Sequence, residues 1–118
     1  MQQQGRVVNI YLEANPNPNS LKFMLNFMLM PEGETMDFAD VESSREVAPL
    51  AESLFEQFPF VRRVFYMNNF ITVTKAEDTE WVEVQTAVKE HIKSYLESGK
   101  PAFVAKAVAE AKANENSG

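Results

Sequence analysis

The stretch 61-VRRVFYMNNFITVTK-75 predicts a β-hairpin, because two runs of β-branched and aromatic residues flank the pair Asn68-Asn69. Asparagine tolerates a positive φ angle, so this pair can form a two-residue turn. Such a turn fixes the register of the two strands and places Tyr66 opposite Ile71. One face of the hairpin is then predicted to be apolar, and it carries Val64, Tyr66, Ile71 and Val73. The other face is mixed, with Arg63, Phe65, Thr72 and Thr74.

Two stretches in which apolar and polar residues alternate precede the hairpin and predict two further strands. In the first stretch, residues 6–13, one side carries Val8, Ile10 and Leu12. In the second, residues 21–29, one side carries Leu21, Phe23, Leu25, Phe27 and Leu29, and the opposite side carries Lys22, Met24, Asn26, Met28 and Met30. The loop between these strands is short enough for an antiparallel pair. Residues 31–44 are acidic and are predicted to form an exposed connection.

Two helices flank the hairpin in the sequence. Proline is favoured in the first turn of a helix, so the first helix is predicted to begin near Ala48 or Pro49. Pro59 ends it, because proline cannot continue a helix. Its predicted buried side consists of Leu50, Leu54, Phe55 and Phe58.

The second helix follows the hairpin, with Asp78 or Thr79 as its predicted N-terminal cap. Apolar residues recur along it at helical spacing, which predicts a buried stripe of Trp81, Val84, Val88, Ile92 and Tyr95. Gly99 and Pro101 form a stop signal. Residues 102–118 are alanine-rich, and a linker and a short extra helix fit them equally well.

These elements predict an α+β fold with a single domain over residues 7–101. Their order is β-β-α-β-β-α, in which helices pack on one face of an antiparallel sheet.

Composition and charge exclude several classes of function. The 118-residue chain has a net charge of −6 and no cysteine. An acidic chain is a poor partner for nucleic acid, because phosphate binding needs clustered Lys and Arg. Without cysteine there is no disulfide, no cysteine nucleophile, and no zinc or iron–sulfur site on the chain's own thiolates. No apolar run approaches the roughly 18 residues needed to span a bilayer, and no signal-peptide core is evident, so a cytoplasmic protein without a membrane partner is expected.

Few side chains suggest chemistry. His91 is the only histidine, and no neighbouring carboxylate orients it, so a surface or boundary position is expected rather than a catalytic one. The acidic residues between Glu32 and Glu42 lack the spacing of a calcium loop and indicate a solvated segment. The methionine side of the second strand leaves two interpretations open, ordinary packing or contact with a partner. No catalytic or metal-ligating residue is predicted, and the chain is not expected to be an enzyme.

The string Pro-Asn-Pro-Asn-Ser-Leu-Lys-Phe at residues 16–23 resembles the hallmark of the N-terminal domain of Nfu-type (NifU-like) iron–sulfur cluster scaffold proteins. Further similar strings follow in consistent order at residues 36–38, 48–51, 61–65, 70–75 and 98–101. The resemblance covers about residues 9 to 101. The candidate partner-contact or family-motif residues are Asn17, Pro18, Asn19, Ser20, Lys22, Phe23, Met24 and Met28.

The resemblance implies a non-catalytic domain that recognises or positions protein partners, namely iron–sulfur client or assembly proteins, during cluster delivery. Proteins of this family hold their cluster on a C-terminal Cys-x-x-Cys domain. No residue here matches those ligands, so no cofactor is expected on this chain. The alternative hypothesis is a stand-alone protein-interaction module unrelated to cluster biogenesis.

Overall fold

A five-stranded antiparallel sheet forms the centre of the molecule, of which the computed structural model describes residues 7–104. Its strands are β1 Ile10–Ala14, β2 Ser20–Leu25, β3 Thr35–Phe38, β4 Val61–Met67 and β5 Phe70–Lys75. Their spatial order is β1-β2-β5-β4-β3. The β1–β2 and β4–β5 hairpins therefore join along β2 and β5, and β1 and β3 form the two edges of the sheet.

Helices cover one face of this sheet, which confirms the predicted α+β fold. The helices are α1 Val41–Ser44, α2 Pro49–Gln57 and α3 Trp81–Glu97. The Phe23 ring of β2 contacts the Trp81 ring of α3 edge to face, with ring centroids 5.8 Å apart. Pro49 occupies the first turn of α2, as predicted. The core lies between the sheet and the two longer helices.

The hairpin at the centre of the sequence has the predicted register. Tyr66 pairs with Ile71, and Val64 pairs with Val73. All four side chains are completely buried. The turn uses a positive φ angle of 46° at Asn68, a conformation that asparagine adopts more readily than most residues.

The buried hydroxyl of Tyr66 joins three distant parts of the chain. The Ala51 N–H donates to it at 2.9 Å, and it donates to the Ala102 carbonyl oxygen at 2.8 Å. Ala51 lies in the first turn of α2, where backbone N–H groups have no partner within the helix. Ala48 cannot cap this helix with its methyl side chain. The Tyr66 hydroxyl, which belongs to strand β4, therefore caps the first turn of α2 instead.

Residues 31–44 are mostly exposed, as predicted, but they are more than a connection, because they contain β3 and α1. β3 pairs antiparallel with β4, and its last residue, Phe38, is buried. The Phe38 ring packs edge to face on Tyr66 at 5.6 Å. The Asp40 carboxylate caps α1 by accepting from the Ser43 N–H at 2.9 Å. These elements add a fifth strand and a one-turn helix to the predicted order.

The second strand is shorter than predicted and ends at Leu25. Beyond it, the N–H groups of Leu29 and Met30 both donate to the Asn68 carbonyl oxygen, at 2.7 and 3.0 Å. These bonds fold the segment over the tip of the β4–β5 hairpin and break the alternation of a strand. As a result Met30, predicted on the side opposite Leu29, is buried in the core.

The predicted cap of α3 was also wrong. The helix begins after Glu80, and no side chain caps its first turn. Gly99 ends it with a φ angle of 86°, as the stop signal predicted. The fully or nearly buried residues of α3 are Val88, Ile92 and Leu96, whereas Trp81, Val84 and Tyr95 are half-buried.

Residues 102–104 still belong to the packed structure. Ala102 is buried, and the Val104 N–H donates to the Val47 carbonyl oxygen at 2.8 Å. The linker or short helix predicted for residues 102–118 lies, from residue 105 on, outside the described residues.

Candidate protein-interaction surface

The face of the sheet opposite the helices presents a row of apolar side chains. Strand pairing places Tyr11, Met24, Phe70 and Met67 side by side across β1, β2, β5 and β4; we call these four residues the outer-face row. Tyr11 keeps 62% of its surface exposed, and the other three are half-buried. Flexible thioethers beside aromatic rings suit a surface that adapts to a partner.

Two ion pairs border the outer-face row. The Lys22 ammonium lies 3.8 Å from the Glu13 carboxylate and 4.7 Å from the centroid of the Phe70 ring. On the other side, the Arg63 guanidinium donates to both Asp37 carboxylate oxygens at 2.9 and 2.7 Å. Each charge therefore has a neighbour of opposite sign, and Thr72 and Phe65 lie between the two pairs, beside the outer-face row. An apolar centre with a polar rim is typical of protein interfaces.

Three of the predicted site residues lie in or near the outer-face row, where a partner can contact them: Lys22, Met24 and Met28. Met24 lies in the outer-face row, and Lys22 borders it. Met28 keeps 57% of its surface exposed, in the segment that folds over the β4–β5 turn. Phe23 is completely buried, so its place in the family motif reflects the core and not a contact.

The proline–asparagine loop divides into a bonded base and an exposed tip. At the base, the Asn19 carbonyl oxygen accepts from the Lys75 N–H at 2.9 Å and from Trp81 Nε1 at 3.1 Å. The Asn19 side-chain oxygen accepts from the buried Lys75 ammonium at 3.1 Å. Asn17 and Pro18 at the tip are exposed. The base therefore anchors the fold, and the tip is available for contacts.

Ser20 also belongs to the base of the loop. Its side chain is buried, and its Oγ lies 2.6 Å from Thr74 Oγ1 of β5. Of the four loop residues predicted as site candidates, Asn17 and Pro18 are exposed, whereas Asn19 is partly buried and Ser20 is buried.

Asn19→Ala should lower the free energy of unfolding by about 1–2 kcal/mol, because it removes one of the acceptors of the buried Lys75 ammonium. Asn17→Ala is the comparison at the exposed tip, where it removes only the exposed hydrogen bond that the Asn17 side-chain oxygen accepts from the Asn19 N–H at 3.0 Å, so a smaller loss of about 0.5–1 kcal/mol is expected. Urea unfolding followed by circular dichroism measures both values. If Asn17→Ala lost more unfolding free energy than Asn19→Ala, the tip of the loop, and not its base, would stabilise the fold.

His91 is half-buried, as expected of a boundary position, and lies where α3 contacts α2. Its Nε2 is 2.8 Å from Ser53 Oγ, and the Ser53 hydroxyl donates its proton to the Leu50 carbonyl oxygen at 2.7 Å. Because a serine hydroxyl has one proton, His91 Nε2–H must be the donor to Ser53. The pair therefore does not have the arrangement in which histidine takes a proton from a nucleophilic serine.

Protonation of His91 should weaken the fold below pH 6.5. Burial, and then the nearby Lys100 charge, lower the pKa of His91 from its ordinary value of 6.5. Between these two pKa values the unfolded chain binds more protons than the folded chain, so stability falls as the pH decreases. Urea unfolding of wild-type and His91→Gln protein at pH 7.5 and 5.5 tests this. We expect the wild type to lose more stability over this interval; equal losses would contradict the prediction.

Two further kinds of feature are absent between residues 7 and 104. That part of the chain contains no group of His, Asp and Glu side chains that could hold a metal ion. None of its helices is both long and apolar enough to cross a membrane.

The family profile described as "Scaffold protein Nfu/NifU N terminal" matches residues 10–99 of this chain. The chain belongs to this family. The match runs from β1 through Gly99 and thus includes every strand of the sheet, the proline–asparagine loop and the outer-face row. The predicted resemblance to the N-terminal domain of Nfu-type scaffold proteins is thereby confirmed.

Curated relatives of this family are longer proteins. The "NFU1 iron-sulfur cluster scaffold homolog, mitochondrial" of Drosophila willistoni is 36% identical over 96 residues, which cover 81% of this chain and 32% of that protein. The "NifU-like protein 4, mitochondrial" of Arabidopsis thaliana is 34% identical over 109 residues, which cover 92% of this chain and 38% of that protein. The chain thus spans about a third of their length. The expected cytoplasmic location was wrong, because these family members are named as mitochondrial proteins.

Solved structures agree on the fold. A NifU-like protein from Saccharomyces cerevisiae has a TM-score of 0.74 and 22% sequence identity, over 89% of this chain and 92% of that one. The protein SAV1430 from Staphylococcus aureus has a TM-score of 0.58 and 21% identity, over 70% of this chain and 96% of that one. At this identity the likeness concerns the fold alone.

Proposed function

We propose that this chain is a non-catalytic partner-recognition domain of an iron–sulfur cluster carrier, and that the outer-face row is its contact surface. The observation that carries the proposal is the apolar centre formed by Tyr11, Met24, Phe70 and Met67, on the sheet face opposite the helices described between residues 7 and 104. Membership of the scaffold family supplies the connection to cluster biogenesis. The partners would be client or assembly proteins of that process.

A role in recognition agrees with the arrangement of the charges. Glu13 with Lys22, and Asp37 with Arg63, are already paired, so a partner gains little from adding a charge at these positions. The free energy of binding would come from covering aromatic and methionine side chains, at about 25 cal/mol per Å² of apolar surface removed from water. Exchange of clients is easier on such a surface than on one that demands a fixed set of ion pairs.

The proposed domain carries no cluster of its own, because the chain has no cysteine and a single histidine. Anaerobic incubation with ferrous iron and sulfide, followed by visible absorbance and metal analysis, tests this part. We expect no chromophore and no iron bound in proportion to the protein. A stoichiometric chromophore on the monomer would contradict the proposal.

Genetic complementation tests the function. In cells that lack this protein, iron–sulfur enzymes should lose activity while enzymes without clusters keep theirs, and the wild-type gene should restore the former. Met24→Glu puts a charge in the centre of the outer-face row and should restore at most a small fraction. Val82→Glu is the matched control, since Val82 is 79% exposed on α3, in the helix layer on the other side of the sheet.

Both variants need the same folded state for the comparison to be fair, so their melting temperatures are measured alongside. Full restoration by Met24→Glu at wild-type protein levels would remove the outer-face row from the site. Unchanged iron–sulfur enzyme activity in the deletion strain would remove the link to cluster delivery altogether.

A further inference from the structure

On the outer edge of β1, three residues have backbone groups to which no other described residue hydrogen-bonds. In an antiparallel sheet, alternate residues of a strand direct both their N–H and their C=O to the same neighbour. The Leu25 N–H donates to the Asn69 carbonyl oxygen, which directs Leu25 towards β5. Met24 and Lys22 therefore face β1 and bond to Tyr11 and Glu13, their register partners.

By the same alternation, three residues of β1 direct their N–H and C=O groups away from the sheet; we call Ile10, Leu12 and Ala14 the free-edge residues. Within residues 7–104, no backbone or side-chain group hydrogen-bonds to them from outside the sheet. They offer three donors and three acceptors in a row. A row of this kind can bond to a further strand.

The free edge is closed at its N-terminal end. Val8 has the same orientation as the free-edge residues, but side chains of α3 satisfy its backbone. Its N–H donates to a Glu97 carboxylate oxygen at 3.1 Å, and its carbonyl oxygen accepts from the Lys93 ammonium at 2.9 Å. Lys93 and Glu97 are also bonded to each other at 2.7 Å. This pair occupies the place of a neighbouring strand at Val8 and leaves the edge open from Ile10 onwards.

The free edge is closed at its C-terminal end by proline. Pro16 would be the next residue of the same orientation, and it has no N–H to offer.

The other edge of the sheet is a weaker template, because β3 has only four residues, of which the pairing directs Thr35 and Asp37 outwards. The β1 edge is therefore the longer site, and it fits a segment of about five residues.

We propose that the free edge of β1 binds an extended segment of a partner protein, which adds antiparallel to the sheet as a sixth strand. Three residues of the bound segment would hydrogen-bond to Ile10, Leu12 and Ala14. Their side chains would lie on the helix side of the sheet, beside Leu12. They should be apolar, because Leu12 is only partly buried and they would cover it. The residues between them lie on the outer face beside Tyr11 and Glu13. They should be basic rather than acidic, because the chain as a whole carries a net charge of −6.

A second copy of this chain is a poor occupant, since two chains that each carry a charge of −6 repel one another. The proposed strand addition gives a binding geometry for the recognition function proposed above. Only the identity of the partner rests on that proposed function. Its geometry stands on the hydrogen-bond pattern of β1 alone.

Binding of a synthetic peptide tests the proposal. The probe is acetyl-Thr-Val-Lys-Val-Lys-Val-Thr-amide, titrated into the ¹⁵N-labelled full chain. We expect amide exchange at Ile10, Leu12 and Ala14 to slow about tenfold or more at saturation. The amides of Tyr11 and Glu13, already bonded to β2, should keep their exchange rates. No change at the free-edge residues up to millimolar peptide would overturn the proposal.

Two peptide isomers provide a control of equal composition. In antiparallel addition, the valine N–H groups point towards β1 and the lysine N–H groups point to solvent. Methylation of the backbone nitrogens of the two outer valines should therefore weaken binding about tenfold or more. Methylation of the backbone nitrogens of the two lysines should leave the affinity nearly unchanged. Equal affinities of the two isomers would show that the peptide does not bind as a strand.

Variants of the chain complete the test. Ala14→Pro removes an outward N–H without touching the bonds to β2, so it should weaken peptide binding about tenfold while the fold persists. Ala14→Ser keeps the N–H and should bind like the wild type. Sedimentation at the same concentrations detects self-association, and a dimer joined through β1 would overturn the choice of occupant. Failure of peptide binding with intact genetic complementation would refute the strand addition alone.

Discussion

Phe23→Ala should lower the free energy of unfolding by about 3–5 kcal/mol, the largest effect expected of a single substitution in this domain. Phe23 is completely buried in β2, a central strand, and packs edge to face on Trp81. Truncation removes its apolar surface from the core and leaves a cavity between the sheet and α3. Urea unfolding at neutral pH measures the loss.

Met24→Ala is the matched control, because it changes the next residue on the opposite face. Met24 is half-buried in the outer-face row, so its truncation should cost about 1 kcal/mol or less. A loss at Met24 equal to that at Phe23 would mean that both faces of the sheet are packed, and would remove the basis for a binding surface there.

Tyr66→Phe should cost about 2–4 kcal/mol although it deletes a single oxygen atom, because it orphans two buried backbone groups at about 1–3 kcal/mol each. The Ala51 N–H loses its acceptor, and the Ala102 carbonyl oxygen loses its donor. The same burial raises the pKa of Tyr66 far above that of free tyrosine, so the hydroxyl stays protonated and can serve both bonds.

Tyr95→Phe is the control for this substitution, because the Tyr95 hydroxyl also donates to a carbonyl oxygen, that of Pro101 at 3.0 Å, but does so at the surface. We expect it to cost about 1 kcal/mol or less, since water can replace an exposed partner. Hydrogen exchange adds a local measure: in Tyr66→Phe the amide of Ala51 should lose protection. Unchanged protection there would contradict the capping role.

Local sequence patterns were sufficient to predict the central hairpin and the ends of α2. The pair Asn68-Asn69 fixes a turn, the turn fixes the register, and the register decides which side chains are buried. Pro49 and Pro59 limit α2 in the same local way. Each of these predictions depends on residues only a few positions apart, where backbone preferences are strong.

β3 could not be predicted, because what makes residues 35–38 a strand lies elsewhere in the sequence. Phe38 packs on Tyr66, and Asp37 binds Arg63, both of which belong to β4. Viewed alone, the segment is short, acidic and flanked by turns. Tertiary partners overrode local propensity here.

The outer-face row illustrates the same limit for the site. Met24 was a candidate from the alternation of the second strand, but Tyr11, Phe70 and Met67 become its neighbours only when β2 lies between β1 and β5. The sequence contains two hairpins and no local signal for how they join. The pairing of Met24 with Phe70 is what joins the two hairpins. These two residues are some 46 positions apart in the sequence, so no local pattern could predict that they pair.

The bond between the Tyr66 hydroxyl and Ala102 also has a consequence for folding during synthesis. Chains emerge from the ribosome N-terminus first, so β1 and β2 are exposed before their neighbour β5 has been made. The hydroxyl that caps α2 receives its acceptor only when residue 102 has left the exit tunnel. Until then the core lacks this hydrogen bond, although all five strands and α3 have already been made. The bond that holds the Tyr66 hydroxyl in place at the start of α2 is therefore completed by the last part of the described fold to be synthesised.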